Sequence, residues 1–405
     1  MRWPRRSGEF PWIEMLVIGL LAGATRSPAL IVIAAAGIAA WILVEVTGRL
    51  ALVGVEARAS LSRDRLVAGE STLLVLEVVN RKPLPLPWLE VRVELPEGIE
   101  PDPAPVGVSR QHVAAGFAPR GHERVTLRFP LRAERRGAYV LGPVRLRGGD
   151  WLGFVQEERR VPLDRMLVAH PAPVGVADRH LAALRPLAEA SNRRGLVPDP
   201  LRFRGIREYR GGDPRKEIHW KASARLRSLQ TKLYEPATSL DAIFLVNVAS
   251  YDKYWIQVDP EGTEVVISAA AELVRMAAEA GRQIGLITNG LDNITHERPR
   301  SAMARGPRSL TRALDILARL GPYAGASPEA AFIRERGRLP TGATCVAVTP
   351  NISPKLANTL VSLRRAHHRV LAVSNALPAP AVVARLHASD VPLVTLGYTE
   401  HRVAV

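Results

Sequence analysis

The sequence predicts an N-terminal transmembrane helical hairpin, a β-sandwich (Ig-like) middle domain and a C-terminal α/β domain. Three observations support this prediction: two apolar blocks before residue 50, alternating apolar and polar residues between 57 and 169, and alternating strand and helix patterns from 240 onward. A length of 405 residues also favours two to three domains. We place the boundaries at 1–50 for the membrane anchor, 51–170 for the β-sandwich, 171–240 for a basic linker and 241–405 for the α/β domain.

The composition excludes several classes of protein. Hydrophobic residues make up 47% and charged residues 23%, which fits neither a disordered chain nor a multi-span transporter. The formal charge of +16 suggests a nucleic-acid or anionic-membrane partner, but nearly all of the positive charge is arginine, in keeping with a genome-wide codon bias. The single cysteine, Cys345, excludes a disulfide framework and a multi-cysteine zinc module, and it suits a reducing compartment.

The first two apolar blocks predict membrane helices at about 11–25 and 28–47. The second block is long enough to cross most of a hydrocarbon core about 30 Å thick, whereas the first would span it only with local thinning. Ser27 and Pro28 suit the N-cap and the first position of the second helix, so the connection between the helices is predicted to be tight.

The arginines around these blocks predict the orientation of the chain. They are concentrated before the first block and after the second, and only Arg26 lies between the blocks. The positive-inside rule then places both ends in the cytoplasm, which predicts a multi-pass protein of the cell membrane whose body faces the cytoplasm. A signal peptide cleaved near Ala22-Gly23-Ala24 is the alternative; the second block would then stop transfer and still leave the body inside. Only a single true span would place the body outside.

The middle of the chain has the period-two pattern of half-buried strands. Apolar residues alternate with charged ones in 89–95. In 124–131 the apolar residues Val125, Leu127, Phe129 and Leu131 fall on one face, and 71–80 is a more continuous apolar run. Proline and glycine turns separate these stretches, as expected for an antiparallel sandwich. The segment offers no catalytic constellation, so we expect a spacer or an interaction module.

The segment 193–235 has the strongest local charge of the chain, with twelve basic residues against five acidic ones. Asp213 suits an N-cap and Pro214 the first helical position, so a short helix is predicted over Ile218 to Lys221. The alternation from 229 to 233 then predicts a strand.

Three functions compete for this segment. A nucleic-acid site would use its arginines on phosphates and Tyr209, His219 and Trp220 for base stacking. An enzyme would use Ser223 as nucleophile with His219 or Lys221 as base. In the third interpretation Trp220 fills a core, while the arginines form ion pairs or bind an acidic partner. Because Ser223 has no recognisable elbow, oxyanion glycine or third triad member, the third interpretation is favoured.

Residues 206–225, IREYRGGDPRKEIHWKASAR, resemble the signature of the prokaryotic domain of unknown function 58 family. Pro87-Trp88-Leu89-Glu90 resembles a turn and strand of that family. Asp150-Trp151-Leu152-Gly153-Phe154 resembles its Asp-Pro-Phe-Gly element, with Trp151 and Leu152 as departures. The resemblance implies a membrane-anchored protein of undetermined biochemistry, related to von Willebrand factor A domains. It also implies a neighbouring gene for a MoxR-type AAA+ ATPase, and sometimes one for a transglutaminase-like membrane protein.

Residues 240–405 read independently as a mostly parallel, doubly wound sheet with ligand sites at the carboxyl ends of its strands. The von Willebrand factor A domain is one such fold. The predicted strands are 242–248, 284–288, 344–349, 370–374 and 391–396, and the predicted helices are 263–280, 309–320, 354–365 and 380–386.

The metal site of the von Willebrand factor A fold is expected to be degenerate in this chain. That site uses Asp-x-Ser-x-Ser after the first strand, where this chain has Asn247, Ala249 and Tyr251. A hard dication would gain too little from such ligands to offset its dehydration, so we predict neither metal nor cofactor. The acids Asp252 and Asp259 nearby are expected to be solvated. The sequence has no Gly-Lys-Ser/Thr phosphate loop, so the chain is not itself the ATPase.

These observations predict a membrane-anchored, non-enzymatic scaffold or adaptor that presents its last domain to a protein partner, by resemblance a MoxR-type AAA+ ATPase. A hydrolase or transferase using His219, Lys221 and Ser223 is the second hypothesis. A nucleic-acid binder is the third hypothesis. The favoured interpretation, the scaffold or adaptor, expects no nucleic acid as partner. The candidate residues form either a latch between domains or a partner-binding surface: Arg207, Glu208, Tyr209, Arg210, Gly212, Asp213, Pro214, His219, Trp220, Lys221 and Ser223.

Overall fold

The structure, a computed structural model, describes residues 5–6, 12–25, 28–103, 111–163, 165–173, 198–211, 213–236, 241–340 and 342–396. The chain divides into two units, Met1–His170 and Pro171–Val405. An N-terminal apolar helix followed by a sheet-rich body confirms the coarse form of the predicted fold.

Two apolar helices, α1 (Trp12–Thr25) and α2 (Pro28–Arg49), open the first unit and pack against each other. Among the helices that the structure describes, α2 alone is long and apolar enough to cross a membrane. Its 22 residues extend about 33 Å, whereas the 14 residues of α1 extend about 21 Å. A membrane anchor and a signal sequence both fit the length and composition of α2.

The rest of the first unit is built from sheets around one core, and their strands pair antiparallel except for the parallel pair β3–β12. A five-stranded sheet has the order β1-β11-β10-β5-β7, a four-stranded sheet the order β2-β4-β8-β6, and a smaller one the order β3-β12-β9. Apolar residues of β4 and β5 point into the same core, which explains their alternation in the sequence. The strands are β1 (Arg5–Arg6), β2 (Val55–Leu61), β3 (Arg65–Val67), β4 (Ser71–Asn80), β5 (Leu89–Glu94), β6 (Ile99–Pro101), β7 (His112–Phe117), β8 (Arg124–Ala133), β9 (Gly137–Val140), β10 (Val144–Gly149), β11 (Val155–Val161) and β12 (Met166–His170).

The chain passes from α2 into the first sheet through a fixed turn. Ala51 and Leu52 are both buried. The ammonium of Lys82 donates to the carbonyl oxygens of Leu50 and Ala51, the latter at 2.6 Å, and Glu157 accepts from the backbone N–H of Leu52 at 3.4 Å. Burial lowers the pKa of Lys82, and the nearby Glu157 carboxylate opposes that shift. A cation thus satisfies two backbone carbonyls of the turn that directly follows α2.

The segment expected to be a basic linker contains regular structure. The strands β13 (Pro198–Glu208) and β14 (Gln230–Pro236) form an antiparallel hairpin. Between them lie a 3₁₀ turn (Arg215–Glu217) and the helix α3 (Trp220–Leu226). The predicted strand at 229–233 corresponds to β14, whereas β13 was not predicted because arginine interrupts its apolar residues.

The α/β part has a central sheet of order β18-β16-β15-β20-β21-β22, parallel except for β18 at one edge. Along β15, Phe244 and Val246 point into one core, whereas Ile243 and Leu245 point into a second core on the opposite face. Both faces of this strand are therefore buried, which accounts for its continuous apolar run. The strands are β15 (Asp241–Val246), β16 (Gln283–Thr288), β17 (Gly290–Asp292), β18 (Arg300–Ala304), β19 (Leu320–Ala324), β20 (Thr344–Thr349), β21 (Arg369–Ser374) and β22 (Leu393–Thr395).

Helices cover both faces of this sheet. The helices α4 (Pro260–Glu279) and α5 (Pro307–Arg319) contribute to the first core, and α6 (Pro328–Glu335), α7 (Pro354–Arg365) and α8 (Pro380–Ala388) to the second. The start of α4 corrects one expectation. Asp259 is not simply solvated but caps the helix, because its carboxylate accepts from the N–H of Gly262 at 3.0 Å.

Candidate functional site

The signature residues lie in and between the two strands of the β13–β14 hairpin. Arg207 pairs with Thr231 in register, and Ile218 forms an isolated bridge to the same Thr231. The N–H of His219 donates to the carbonyl of Gln230 at 2.7 Å. The insertion between the strands is therefore folded back against β14. Gly212 lies outside the described residues.

Arg207 of β13 and Asp213 of the insertion form a bidentate ion pair. The two guanidinium nitrogens lie 2.7 and 2.6 Å from the carboxylate oxygens of Asp213. The carboxylate also accepts from the N–H of Arg210 at 2.9 Å and from the Thr231 hydroxyl at 3.3 Å. The hydrogen bonds from Arg207 and Arg210 lower the pKa of Asp213 to about 2, and the carboxylate raises the pKa of Arg207.

This pair corrects the predicted role of Asp213. The residue that precedes the 3₁₀ turn is Pro214, and no side chain caps that turn. Asp213 instead holds β13 to the insertion through Arg207. Tyr209 reinforces the same turn, since its hydroxyl donates to the carbonyl of Asp213 at 3.2 Å. Arg207, Asp213 and Tyr209 are therefore structural parts of the insertion.

The hydroxyl of Ser223 forms hydrogen bonds with backbone groups. The residue is buried, its hydroxyl donates to the carbonyl of His219 at 3.0 Å, and its oxygen accepts from the N–H of Gln230 at 2.8 Å. His219 caps α3, because its Nδ1 accepts from the N–H of Ala222 at 3.1 Å. These contacts orient Ser223 toward the hairpin backbone and fix the Nδ1 atom of His219 at the start of α3.

Other signature side chains face solvent. Trp220 has 68% of its surface exposed, so it does not fill the core that one interpretation expected. Arg210, Pro214 and Lys221 are exposed as well, as is Glu208. A large aromatic side chain at the start of α3 is therefore exposed to solvent, and the next residue, Lys221, is exposed as well.

The carboxyl edge of the parallel sheet holds the residues predicted as a degenerate metal site. Asn247 follows β15 and is 2% exposed. Its Nδ2 donates to the Thr349 hydroxyl at 2.7 Å and to the Ala249 carbonyl at 3.1 Å. Its Oδ1 accepts from the N–H of Ala249 at 2.8 Å and from Asn289 Nδ2 at 2.7 Å. The amide of Asn247 has thereby used its hydrogen-bonding capacity within the protein.

Asn289 was missed by the sequence analysis. Its Oδ1 accepts from the N–H of Val248 at 3.0 Å, so it connects the ends of β15 and β16. The sequence feature that could have identified Asn289 is its position directly after a buried strand, which is also the position of Asn247. Within the described residues, no group of three or more His, Cys, Asp or Glu side chains is arranged to hold a metal ion.

A crevice of about 570 Å³ opens beside this amide network. It lies between the residues that follow β15 and those that follow β20, the point where the strand order reverses. Tyr251, 42% exposed, and Trp255, 69% exposed, line it together with Glu329 and Lys355. Ala249 lies at its floor and is buried.

Comparison with known proteins gives one family and one distant relative. A family model described as a protein of unknown function, DUF58, matches residues 205–381, which include most of the hairpin and of the parallel sheet. The uncharacterised protein YeaD of Bacillus subtilis (strain 168) is 25% identical over an alignment that covers 68% of this chain and 68% of that protein.

Solved structures show only remote likeness. The Escherichia coli alpha-2-macroglobulin, from domain MG7 to its C-terminus, is 14% identical, covers 29% of this chain and 24% of that one, and has a TM-score of 0.24. The C-terminal domain of wzt is 11% identical over 29% of this chain and 75% of that one, with a TM-score of 0.21. A non-cellulosomal cohesin from Archaeoglobus fulgidus is 11% identical over 27% of this chain and 92% of that one, with a TM-score of 0.18.

Proposed function

We propose that this chain is a membrane-anchored, non-enzymatic adaptor of the DUF58 type that binds a protein partner through the exposed part of its signature segment. The single observation that carries the proposal is the exposure of Trp220. Exposed aromatic side chains flanked by cations are enriched at protein interfaces, where they supply much of the binding energy.

The membrane part of the proposal is supported by the first unit. The span is α2, and we place α1 beside it as a second, shorter membrane helix, with the body in the cytoplasm. The strand β1, which precedes α1, pairs with β11, and the end of α2 also packs against β11. Both ends of the helical pair therefore return to the same sheet, as a hairpin that starts and ends on one side of the membrane requires. The flanking arginines favour the cytoplasm as that side.

The partner is proposed to be an acidic protein surface, and the family resemblance suggests a MoxR-type AAA+ ATPase. Lys221, the next residue after Trp220, and Arg210 of the same insertion are both exposed. In this proposal they meet carboxylates of the partner at the rim of the interface, while the indole is buried at its centre. In this proposal the α/β part is a von Willebrand factor A-like domain and the sheets of the first unit form an Ig-like sandwich. Both act as scaffolds.

The hydrolase or transferase hypothesis receives no support from the contacts of Ser223, whose hydroxyl is engaged with backbone groups. The nucleic-acid hypothesis shares the same exposed residues and differs in its salt dependence, because phosphate contacts release counterions.

The proposal is tested by affinity purification of the full chain from detergent-solubilised membranes, with bound proteins identified by mass spectrometry. We expect Trp220→Ala and Arg210→Glu each to lose the partner. The matched controls are Trp255→Ala, an equally exposed tryptophan, and Arg305→Glu, an exposed arginine. Unchanged partners in Trp220→Ala and Arg210→Glu, or a loss confined to Trp255→Ala, would contradict the proposal. Nuclease-sensitive recovery that declines steeply with salt would favour the nucleic-acid hypothesis.

A further inference from the structure

The turn between β10 and β11 is rigid. Asp150 is fully buried, and its carboxylate accepts from the N–H of Leu152 at 2.8 Å and of Val155 at 2.6 Å. Its carbonyl accepts from the indole N–H of Trp88 at 3.3 Å. Gly153 has a φ of +81°, which a glycine adopts without strain. The turn therefore has one preferred shape.

This fixed shape presents two large apolar side chains to the outside. Trp151 is 59% exposed and Leu152 is 61% exposed. Isolated exposed apolar residues are common on protein surfaces, so exposure alone does not indicate a function. What matters is where the turn lies relative to α2.

The β10–β11 hairpin runs alongside the last turns of α2. Gly148 lies against Leu52, since a Cβ built on Gly148 would be 3.3 Å from a Leu52 methyl group. Closer to the tip, a Cβ on Gly48 would be only 2.6 Å from the Cβ of Val155, so only glycine allows this approach. Gly48 lies in the last turn of α2, and Leu52 lies in the turn that follows the helix. Going from Leu52 back to Gly48 therefore corresponds to going from Gly148 to Val155, toward the hairpin tip.

The tip accordingly lies beside the end of the apolar helix. With a length of about 33 Å, α2 fills a hydrocarbon core of about 30 Å, and its last turn reaches the headgroup region. The turn that carries Trp151 follows the hairpin beyond Val155, in the direction of this membrane boundary. Tryptophan is enriched at that depth, because its ring is apolar and its N–H can bond to water or headgroups.

We propose that Trp151 and Leu152 insert into the lipid interface next to the end of α2, so that the sheet-rich part of the first unit touches the bilayer directly. This inference rests on the proposed membrane anchoring by α2. Within this turn, Asp150 fixes the backbone, and the next two side chains are the exposed ones.

The test uses the full chain, reconstituted in vesicles of phosphatidylethanolamine and phosphatidylglycerol. A cysteine replaces Leu152 and carries an environment-sensitive fluorophore, and nitroxide lipids labelled near the headgroup act as quenchers. The control position is Val140, which is 61% exposed and precedes β10 at the end opposite the tip. The six residues of β10 extend roughly 20 Å. Because Cys345 is buried, the unsubstituted chain serves as the labelling blank.

We expect blue-shifted emission and several-fold stronger quenching at Leu152→Cys than at Val140→Cys. Trp151→Cys provides a second probe if the first variant does not fold. Equal, weak quenching at both positions in protein that floats with the vesicles would overturn the inference and leave the anchor intact. Protein that does not float with the vesicles would overturn the anchor proposal and this inference together.

Discussion

The guanidinium of Arg207 holds the carboxylate of Asp213 through two parallel hydrogen bonds of 2.7 and 2.6 Å. This pair spans the start of the signature insertion. We therefore expect Arg207→Ala to lower the thermal unfolding temperature by a few degrees, whereas Arg210→Ala should leave it unchanged. Arg210 contacts Asp213 through its backbone N–H and its backbone carbonyl, and the substitution retains both. Equal unfolding temperatures for the two variants would contradict a structural role for the pair.

From the low pKa of the same carboxylate we expect the stability of the fold to fall in acid. The pKa of Asp213 falls from its ordinary 3.8 to about 2 in the folded protein. The unfolded chain therefore binds this proton first as the pH falls. The stabilising contribution is complete above pH 3.8 and is lost as the pH falls toward 2. Asp213→Asn should reduce the slope of stability against pH within this window, as measured by urea unfolding. An unchanged slope would show that the pair does not stabilise the fold.

Removal of the Ser223 hydroxyl is predicted to destabilise the hairpin. Ser223→Ala leaves the buried N–H of Gln230 without its acceptor, at a cost of about 1–3 kcal/mol. Ser228→Ala, which removes a contact to the Gln230 side chain only, should cost less. Denaturant unfolding of both variants measures the difference. A Ser223→Ala variant with full stability and a lost hydrolytic activity would instead support the enzyme hypothesis.

A carboxylate at position 247 should not recreate a metal site. Asn247→Asp replaces Nδ2 by an acceptor facing the Ala249 carbonyl, and it buries a charge, at a cost of roughly 2–4 kcal/mol. Mg²⁺ should not restore the lost stability, because Ala249 supplies no oxygen ligand where that site would need a hydroxyl. The measurement is the thermal unfolding temperature of Asn247→Asp in the presence of Mg²⁺ and of a chelator. The control is Asn358→Asp, because Asn358 is exposed. A rise in unfolding temperature specific to Mg²⁺ and to Asn247→Asp would show that a site persists.

Cys345 is predicted to be chemically inert in the native protein. Burial raises the pKa of its thiol to about 12, so only about one molecule in ten thousand carries a thiolate at pH 8. Aromatic disulfide reagents should therefore react with it at the rate of unfolding, not at the rate of a free thiol. Rapid labelling of the folded chain would contradict this burial.

Periodicity predicted most of the elements in the α/β part. The strand at 344–349 and the helix at 354–365 coincide with β20 and α7, because both are long, apolar on the buried side and bounded by turn residues. The strands β17, β18 and β19 and the helix α6 were not predicted. They are short or lie at an edge, so their residues carry little periodic signal.

The contacts of the candidate residues were harder to predict than the element that carries them. The sequence singled out the run from Arg207 to Ser223, and the described part of this run lies in the β13–β14 hairpin and its insertion. Which arginine would be paired and which exposed depends on Asp213 folding back onto β13, a contact between a turn and a strand that no local spacing indicates. The exposure of Trp220 was likewise not predicted, because tryptophan is highly buried on average.

The fixed turn after α2 limits how far the first sheets can move away from that helix. Lys82 and Glu157 hold residues 50–52 in place, so only a few residues separate the helix from β2 and none of this stretch acts as a free tether. The first sheets therefore cannot swing widely or extend into solvent to capture a partner. If α2 anchors the chain in a membrane, as proposed above, any protein that meets this part of the chain must approach the bilayer closely, where encounters are confined to two dimensions.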